Sequence, residues 1–259
     1  MAEETIATKP NLDRVKHIPP ILPPEEGYTE KDVVAFDRKL RESLGEIGSV
    51  QYTVQPKIQG IAVQISYESG ALCRGVTIGN GYEGEVITDN IKTILTVPIT
   101  LWRIGEVPPF PERLEVRGEV YMESADLEGL NRERKEKGLD PFQDARQGAR
   151  DSLRQVNPRI SARRPLNMFC HDEGDVAPSF PVTYLEMMVL LQAWGFRVNR
   201  PHIRLCDTPD DLIAACRAIR EKEFPYSVEG ALIQANRLES GTPGGSRGNA
   251  PALSFVYRG

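Results

Sequence analysis

One stretch of the sequence decides the fold: residues 114–122 read LEVRGEVYM. Apolar residues and one glycine alternate with Glu115, Arg117, Glu119 and Tyr121, which is the period-two pattern of a β-strand with two different faces. Arg117 and Glu119 are therefore expected to project from the same face. A cross-strand ion pair on a solvated sheet would account for these two charges as well as a binding site would.

Strand-like and helix-like segments surround this stretch on both sides. Upstream, Thr29 is a predicted helix N-cap, and residues 50–54, 61–67 and 72–78 have the composition of strands. Downstream, Ser124 is a predicted helix N-cap, a basic helix is predicted from about Ala145, residues 183–186 form a predicted capping box, and Thr208 is predicted to open a further helix. Closing strands are predicted at 231–235 and 253–257, with a Gly-rich loop at 241–248 between them. This mixture predicts an α+β fold with antiparallel sheets flanked by helices.

Composition bounds the class of protein. The 259 residues can bury a full core, and the 40% hydrophobic and 27% charged content is ordinary for a soluble domain. No apolar run reaches the length of a membrane span or a signal peptide, so we expect a cytoplasmic protein with no membrane partner. The four cysteines form no CxxC pair, which favours reduced structural thiols over a zinc site.

Proline and charge divide the chain further. Residues 1–27 are proline-rich and predict an extended, partly disordered lead-in before a domain at 28–259. The net charge of −5 argues against nucleic-acid binding by the whole surface, but residues 131–164 carry ten Lys/Arg against five Asp/Glu. That segment fits either a contact with DNA phosphates or a solvated helical face.

A lysine and a glycine-rich loop are candidate site elements. Lys57 opens the tetrapeptide KIQG between the strand-like run at 50–54 and the strand at 61–67. A lysine at such a junction can be a nucleophile where desolvation or nearby cations keep its amine neutral, although most lysines are simply solvated. Residues 79–85 hold three glycines, so this loop either approaches a ligand closely or is a plain hairpin connection.

Several motifs occur in order from about His17 to the last residue. They are LEVRGEVYM at 114–122, LNRER at 130–134, SLRQ at 152–155, VEGALI at 228–233 and VYR at 256–258. With them in this order, the chain resembles the adenylation (nucleotidyltransferase) domain of NAD-dependent DNA ligases. The resemblance implies the DNA-ligase nucleotidyltransferase fold, which is ATP-grasp-like.

The resemblance also implies a reaction and a set of site residues. Lys57 would attack the α-phosphate of NAD or ATP with Mg²⁺ present, and AMP would then pass from Lys57 to a DNA 5′-phosphate. The implied catalytic residues are Lys57, Glu119 and Glu229, with Mg²⁺ near Glu229 and no metal cluster made by protein side chains alone. The implied nucleotide-binding residues are Arg117, Arg146, His171, Gln234 and Arg258, and the implied nucleic-acid contacts are Arg150 and Arg154.

The chain departs from the family pattern at the predicted centre. The family motif is KxDG, but Gln59 replaces its aspartate, and Gln55 replaces the usual glutamate two residues before Lys57. Glu229 replaces an aspartate, while Gln234 and Arg258 replace lysines. Since losing one preorganised charge contact costs about 3 kcal/mol, we expect weakened activity.

Two other functions therefore stay open. One is a catalytically degenerate pseudo-ligase that binds nucleotide, nucleic acid or a protein partner, and the other is a transferase with a different AMP acceptor. Complete ligases of the family also carry an NAD-recognition domain, an OB-fold, a zinc module and further domains, none of which is visible in this sequence. We therefore expect nick sealing to need a partner or an OB-fold domain in addition to this chain.

Overall fold

The computed structural model of the chain describes residues 12–44, 50–173, 183–236 and 254–259. The strands, in chain order, are β1 Arg14–Lys16, β2 Glu25–Gly27, β3 Tyr52–Ile58, β4 Ile61–Glu68, β5 Ala71–Thr77, β6 Glu83–Glu85, β7 Arg113–Met122, β8 Leu166–Glu173, β9 Arg204–Cys206, β10 Val228–Ala235 and β11 Ser254–Tyr257. The helices are α1 Glu30–Leu44, α2 Thr88–Ile91, α3 Ser124–Glu136, α4 Ala145–Leu153, α5 Pro158–Ser161, α6 Tyr184–Ala193 and α7 Pro209–Glu221, with a 3₁₀ turn at Arg200–His202.

Two main sheets form the body of the fold. One has five strands in the order β2-β11-β10-β3-β9, and the other has four in the order β5-β4-β7-β8. A third, two-stranded sheet pairs β1 with β6. Among the described strands, all pairs are antiparallel except β2 with β11, which is parallel. The predicted α+β class with antiparallel sheets and flanking helices is confirmed, and the parallel pair is an addition that the sequence did not reveal.

Each main sheet has its own hydrophobic core. The four-stranded sheet packs its fully buried Val116, Val120 and Met122 against α4 and α6. The five-stranded sheet is covered by α1 and α7, whose buried residues include Phe36 and Leu212. The predicted alternation along β7 thus places its apolar face in the core and leaves its other face toward the space between the sheets.

A third, small aromatic cluster lies where the two sheets meet. It contains Ile58 from β3, Tyr121 from β7, Phe169 from β8 and the nearby Tyr226. The rings of Tyr121 and Phe169 stack with centroids 5.2 Å apart. Because stacked aromatic pairs add to the burial free energy, this cluster supports the junction on which the site residues stand.

Several helix ends follow the chemistry expected from the sequence. Thr183 forms a capping box with Glu186 at the start of α6, and Thr208 accepts from the Asp211 N–H at the start of α7. Helix α3 begins at Ser124 itself, with Glu123 at the N-cap position, so Ser124 is not the cap that the sequence suggested. In the described ranges, no helix has the length and apolarity needed to cross a bilayer.

The first strand of the predicted site differs from expectation. We expected a strand at 50–54 that ends before Lys57, but β3 runs from Tyr52 to Ile58 and includes Lys57. The strand continues because β10 pairs with it as far as Ile58, with a register irregularity between Pro56 and Ile58. The chain then crosses at Gly60 from the five-stranded sheet to the four-stranded one.

The predicted lead-in contacts both main parts of the fold. Of residues 1–27, the structure describes 12–27, which are mostly extended and contribute β1 and β2 to two sheets. His17 is buried and its ring Nε2 lies 3.1 Å from the Thr77 carbonyl oxygen. The division of the chain at residue 28 stays a prediction. The glycine-rich segment at 241–248 lies outside the described residues.

The four cysteines are all free thiols. Cys170, Cys206 and Cys216 are buried, and burial raises the pKa of each thiol, in the case of Cys206 to about 11. Burial of these three thiols agrees with the structural role predicted for them, whereas Cys73 is exposed.

Candidate active site between the two sheets

A cavity of about 750 Å³ lies between the two main sheets and is closed on one side by the lead-in. This volume falls within the range of small-molecule and cofactor sites. The cavity is lined by all eight residues predicted to be catalytic or to bind nucleotide: Lys57, Arg117, Glu119, Arg146, His171, Glu229, Gln234 and Arg258. They come from β3, β7, β8, β10, α4 and the residue after β11, so the fold gathers positions up to 201 residues apart.

Lys57 and Glu119 form the centre of the cavity. The Lys57 Nζ donates to Glu119 Oε2 across 3.2 Å, and the Glu119 side chain is almost completely buried. Burial raises the pKa of Glu119, while the charge and hydrogen bond of Lys57 act in the opposite direction. Gly60 allows this approach, because a Cβ there would lie 2.3 Å from the Val120 carbonyl oxygen and 2.8 Å from Glu119 Cγ.

A β-bulge places Glu229 opposite the lysine. Along β3 and β10, Ile58 pairs with Val228 and Pro56 with Ala231, so two residues of β10, Glu229 and Gly230, face the single residue Lys57. Gly230 has a φ of +148°, which favours glycine. Bulges commonly redirect a side chain next to an active site, and this one brings Glu229 to the cavity.

A second bulge places His171. Arg117 pairs with Asp172 and Gly118 with Cys170, so His171 is the extra residue on β8. Its Nε2 lies 3.9 Å from Glu119 Oε2, and this nitrogen is buried without a hydrogen-bond partner among the described residues. Burial, reinforced by the charge of Lys57, lowers the pKa of His171 to about 4. His171 is therefore neutral at pH 7, in a state suited to contact with a neutral heteroaromatic ring.

The low pKa of His171 predicts a pH-dependent loss of stability. An unfolded histidine binds a proton below about pH 6.5, whereas the folded His171 binds one only near pH 4, so the unfolded state gains more protons as the pH falls between these values. We expect His171 to contribute about 2 kcal/mol to the loss of unfolding free energy between about pH 7 and pH 4.5.

Urea unfolding at both pH values measures this effect, with His171→Gln as the comparison. The variant removes the titrating ring, so its loss of stability over the same interval is expected to be smaller by about that amount. Equal losses in the two proteins would contradict the depressed pKa.

Gln55, which replaces the family's glutamate, has a specific hydrogen-bond partner. Gln55 is buried and donates from Nε2 to the Tyr184 hydroxyl across 2.7 Å, and that hydroxyl donates to the His171 carbonyl oxygen across 2.7 Å. This chain of hydrogen bonds links β3, α6 and the bulge of β8. Gln55 thus fixes the backbone that carries His171, a role that the sequence did not suggest.

The cationic residues of the cavity are mostly paired with carboxylates. The Arg117 Nη1 donates to Asp172 Oδ2 across 3.2 Å, while its Nε is buried without a partner among the described residues. Arg258 bonds to both Glu26 and Glu229. Arg146, on the first turn of α4, makes no ion pair within the part of the chain that the structure describes.

The cavity residues fit a nucleotide better than they fit a metal ion held by protein alone. The buried, unpartnered nitrogens of Arg117 and His171 are donors or acceptors that a ligand could satisfy. Among the described residues, no group of three His, Cys, Asp or Glu side chains could hold a metal ion. Bound Mg²⁺ would therefore depend on phosphate oxygens and water, with Glu229 as the implied protein ligand.

Two of the predicted residues lie elsewhere. Arg150 and Arg154 are not among the described residues that line the cavity. Arg150 is exposed on α4 and pairs with Asp151, whereas Arg154 is largely buried and donates to Glu85 across 2.6 Å. Their contact with nucleic acid stays a prediction, and the ion pair gives Arg154 an additional role in joining α4 to β6.

Three features of the cavity were missed by sequence reasoning or differ from it. Glu26 and Asp172 pair with the cavity arginines, although neither residue stands in a motif that signals this. The proline-rich residues 19–24 line the cavity, and the high proline content of this segment could have indicated a rigid wall. Gln59, which replaces the motif aspartate and was expected at the centre, is not among the described lining residues, and its N–H donates to the Ser227 carbonyl oxygen across 2.9 Å.

Comparison with known proteins identifies the family of the chain. The family model described as "NAD-dependent DNA ligase adenylation domain" matches residues 9–258. A DNA ligase of Syntrophus aciditrophicus is 36% identical over 93% of this chain, and one of Salinibacter ruber is 37% identical over 95%. The chain spans 36% of the length of each of these curated relatives.

A solved structure shows a more distant likeness. The structure titled "mycobacterial DNA ligase D complexed with ATP and MES" aligns with 80% of this chain and 54% of its own, at 11% identity and a TM-score of 0.42. The likeness is too distant to bear on the site. The family match covers nearly the whole chain and includes every residue at the cavity centre, and the chain therefore belongs to the NAD-dependent DNA ligase adenylation domain family.

Proposed function

We propose that this chain transfers AMP from NAD to the ε-amine of Lys57, as the first step of DNA ligation. The observation that carries the proposal is the position of Lys57 Nζ, 3.2 Å from the buried Glu119 carboxylate and inside a nucleotide-sized cavity. NAD is the proposed donor because the matching family is NAD-dependent. Catalysis in this step depends on positioning and on cations near the phosphates.

The reaction balances with the residues at hand. The Lys57 ammonium first loses one proton. The neutral amine then forms a bond to the α-phosphorus of the AMP half of NAD, and its nitrogen loses a second proton as the phosphoramidate forms. The phosphoanhydride P–O bond breaks, and nicotinamide mononucleotide leaves with the bridging oxygen. Glu119, whose pKa is raised by burial, accepts a hydrogen bond from Lys57 Nζ and would accept one of these protons, and water would accept the other.

Other cavity residues would bind and orient the nucleotide. Arg117 and Arg146 are proposed to face the ribose and phosphates, and Arg117 has an unpartnered Nε available for this. The neutral His171 would contact the base. Mg²⁺ would neutralise phosphate charge during transfer.

We further propose that adenylation is slow in this chain. Gln55 and Gln234 are both buried neutral amides in the cavity, at positions where the resemblance implies a carboxylate and a lysine. Since each missing preorganised charge typically lowers the rate by about a hundredfold, their joint effect is large. Gln59 contributes less to this argument, because it is not among the described lining residues.

The acceptor is proposed to be a DNA 5′-phosphate. The exposed cations of residues 131–164, including Arg150, would contact the DNA backbone. Arg154, which is paired with Glu85, would contribute a further positive charge to this contact. Sealing of a nick is proposed to need an OB-fold domain or a partner in addition to this chain.

Intact-mass spectrometry tests the proposal directly. The protein is incubated with Mg²⁺ and NAD, and separately with Mg²⁺ and ATP, at high protein concentration over hours. We expect a mass increase of one AMP with NAD and a smaller fraction of adduct with ATP. A larger fraction with ATP would reassign the donor, and nucleotide binding without an adduct from either donor would identify a nucleotide-binding module instead.

A further inference from the structure

One segment of the lead-in connects the two sides of the cavity. We define the strap as residues 17–27. At its start, the N–H groups of His17 and Ile21 donate to the carbonyl oxygens of Tyr82 and Gly81, across 2.9 Å and 2.8 Å. At its end, β2 pairs in parallel with β11 of the five-stranded sheet. Residues 19–26 between these anchors line the cavity.

Arg258 holds the strap to the cavity wall by side-chain bonds. Its Nε and Nη2 donate to the two carboxylate oxygens of Glu26, across 2.9 Å and 2.8 Å. Its Nη1 donates to Glu229 Oε2 across 2.8 Å and lies 3.4 Å from the Glu229 carbonyl oxygen. A guanidinium has five N–H donors, so these contacts occupy most of them. Two carboxylates also outweigh the single positive charge.

The two carboxylates differ in how readily they can be replaced. The side chain of Glu26 is 40% exposed, whereas that of Glu229 is 17% exposed and stands in the bulge opposite Lys57. Water can solvate Glu26 as it leaves, but Glu229 is held by the sheet. Of the two partners of Arg258, Glu26 is therefore the one that an incoming anion would displace.

We propose that Glu26 is a positioning residue that holds the Arg258 guanidinium against the strap. A nucleotide phosphate then reaches Arg258 only by displacing the Glu26 carboxylate. The proposal rests on the proposed function insofar as the natural anion is the phosphate of NAD. Glu26 competes with this ligand and lowers its affinity without taking part in the transfer to Lys57. Binding of the nucleotide phosphate to Arg258 therefore requires the Arg258–Glu26 ion pair, which attaches the strap to the cavity wall, to break.

Calorimetric titration of the whole chain with NAD tests this inference. We expect Glu26→Gln to lower the Kd for NAD by about two- to fivefold, which is the strength of a partly exposed ion pair. The rate of adduct formation at saturating NAD should not change. Glu26→Asp, which keeps the charge, should retain a Kd near that of the wild type.

Glu30→Gln is the matched control. Glu30 also accepts two hydrogen bonds from one arginine, Arg217, and links α1 to α7 outside the cavity. We expect no change in its Kd for NAD. In an Arg258→Gln background, Glu26→Gln should also have no effect, because the cation that it withholds is absent. Circular dichroism confirms that each variant is folded.

The outcomes separate this inference from the proposed function. An unchanged or weaker affinity for NAD in Glu26→Gln would overturn it, because Glu26 would then be neutral or would present Arg258 to the ligand. Titration with inorganic pyrophosphate repeats the test without requiring recognition of NAD. If the wild type binds pyrophosphate but neither NAD nor ATP, the proposed function fails while the tighter binding of pyrophosphate by Glu26→Gln still supports the inference.

Discussion

Lys57→Ala is expected to abolish the covalent AMP adduct completely, with NAD and with ATP. The variant removes the amine that lies 3.2 Å from Glu119 in the cavity, and no other lysine is among the described residues that line it. A covalent step cannot be replaced by positioning alone, so the loss is expected to be total rather than partial. Intact mass after incubation with Mg²⁺ and each donor measures it.

Lys39→Ala serves as the matched control for this loss. Lys39 also pairs with a glutamate, Glu25, but its amine lies on α1 outside the cavity lining. The control should form the adduct like the wild type. Nucleotide binding should survive in Lys57→Ala, since Arg117, Arg146 and His171 remain in place. An adduct that persists in Lys57→Ala would show that another residue accepts AMP and would refute the central assignment.

Glu119→Ala is expected to slow adduct formation by about a hundredfold. The Glu119 carboxylate accepts a hydrogen bond from the Lys57 amine, so it orients this amine and stands where it can accept a proton from it. Its removal also leaves the Nε2 of His171 without the charge that lies 3.9 Å away. Single-turnover measurements of adduct formation with NAD, followed by mass, determine the rate.

Glu115→Ala tests whether this effect is specific to the cavity. Glu115 lies on the same face of β7 as Glu119, where it accepts hydrogen bonds from Gln64 and Ser66, and it is not among the described lining residues. We expect its rate to stay near that of the wild type. Equal rates in the wild type and Glu119→Ala would show that Lys57 reaches the phosphate without this carboxylate.

The α+β architecture and the main strands could be predicted because their signals are local. The alternation at 114–122 predicted β7 and its two faces, and the Thr183 capping box predicted the start of α6. The motif order also predicted eight residues that the structure brings into one cavity. The error at β3 arose from Pro56 and polar neighbours, which look unlike a strand although β10 pairs with them.

The sequence by itself predicted which residues would carry the proposed chemistry, because their types and order can be read along the chain. The tertiary structure alone decided how they are paired. The bulges at Glu229–Gly230 and His171 depend on strand register, which two distant segments set together. The contacts of Arg258 with Glu26 and of Gln55 with Tyr184 span 232 and 129 residues. Such contacts form only when both sheets are packed, so no local sequence pattern predicts them.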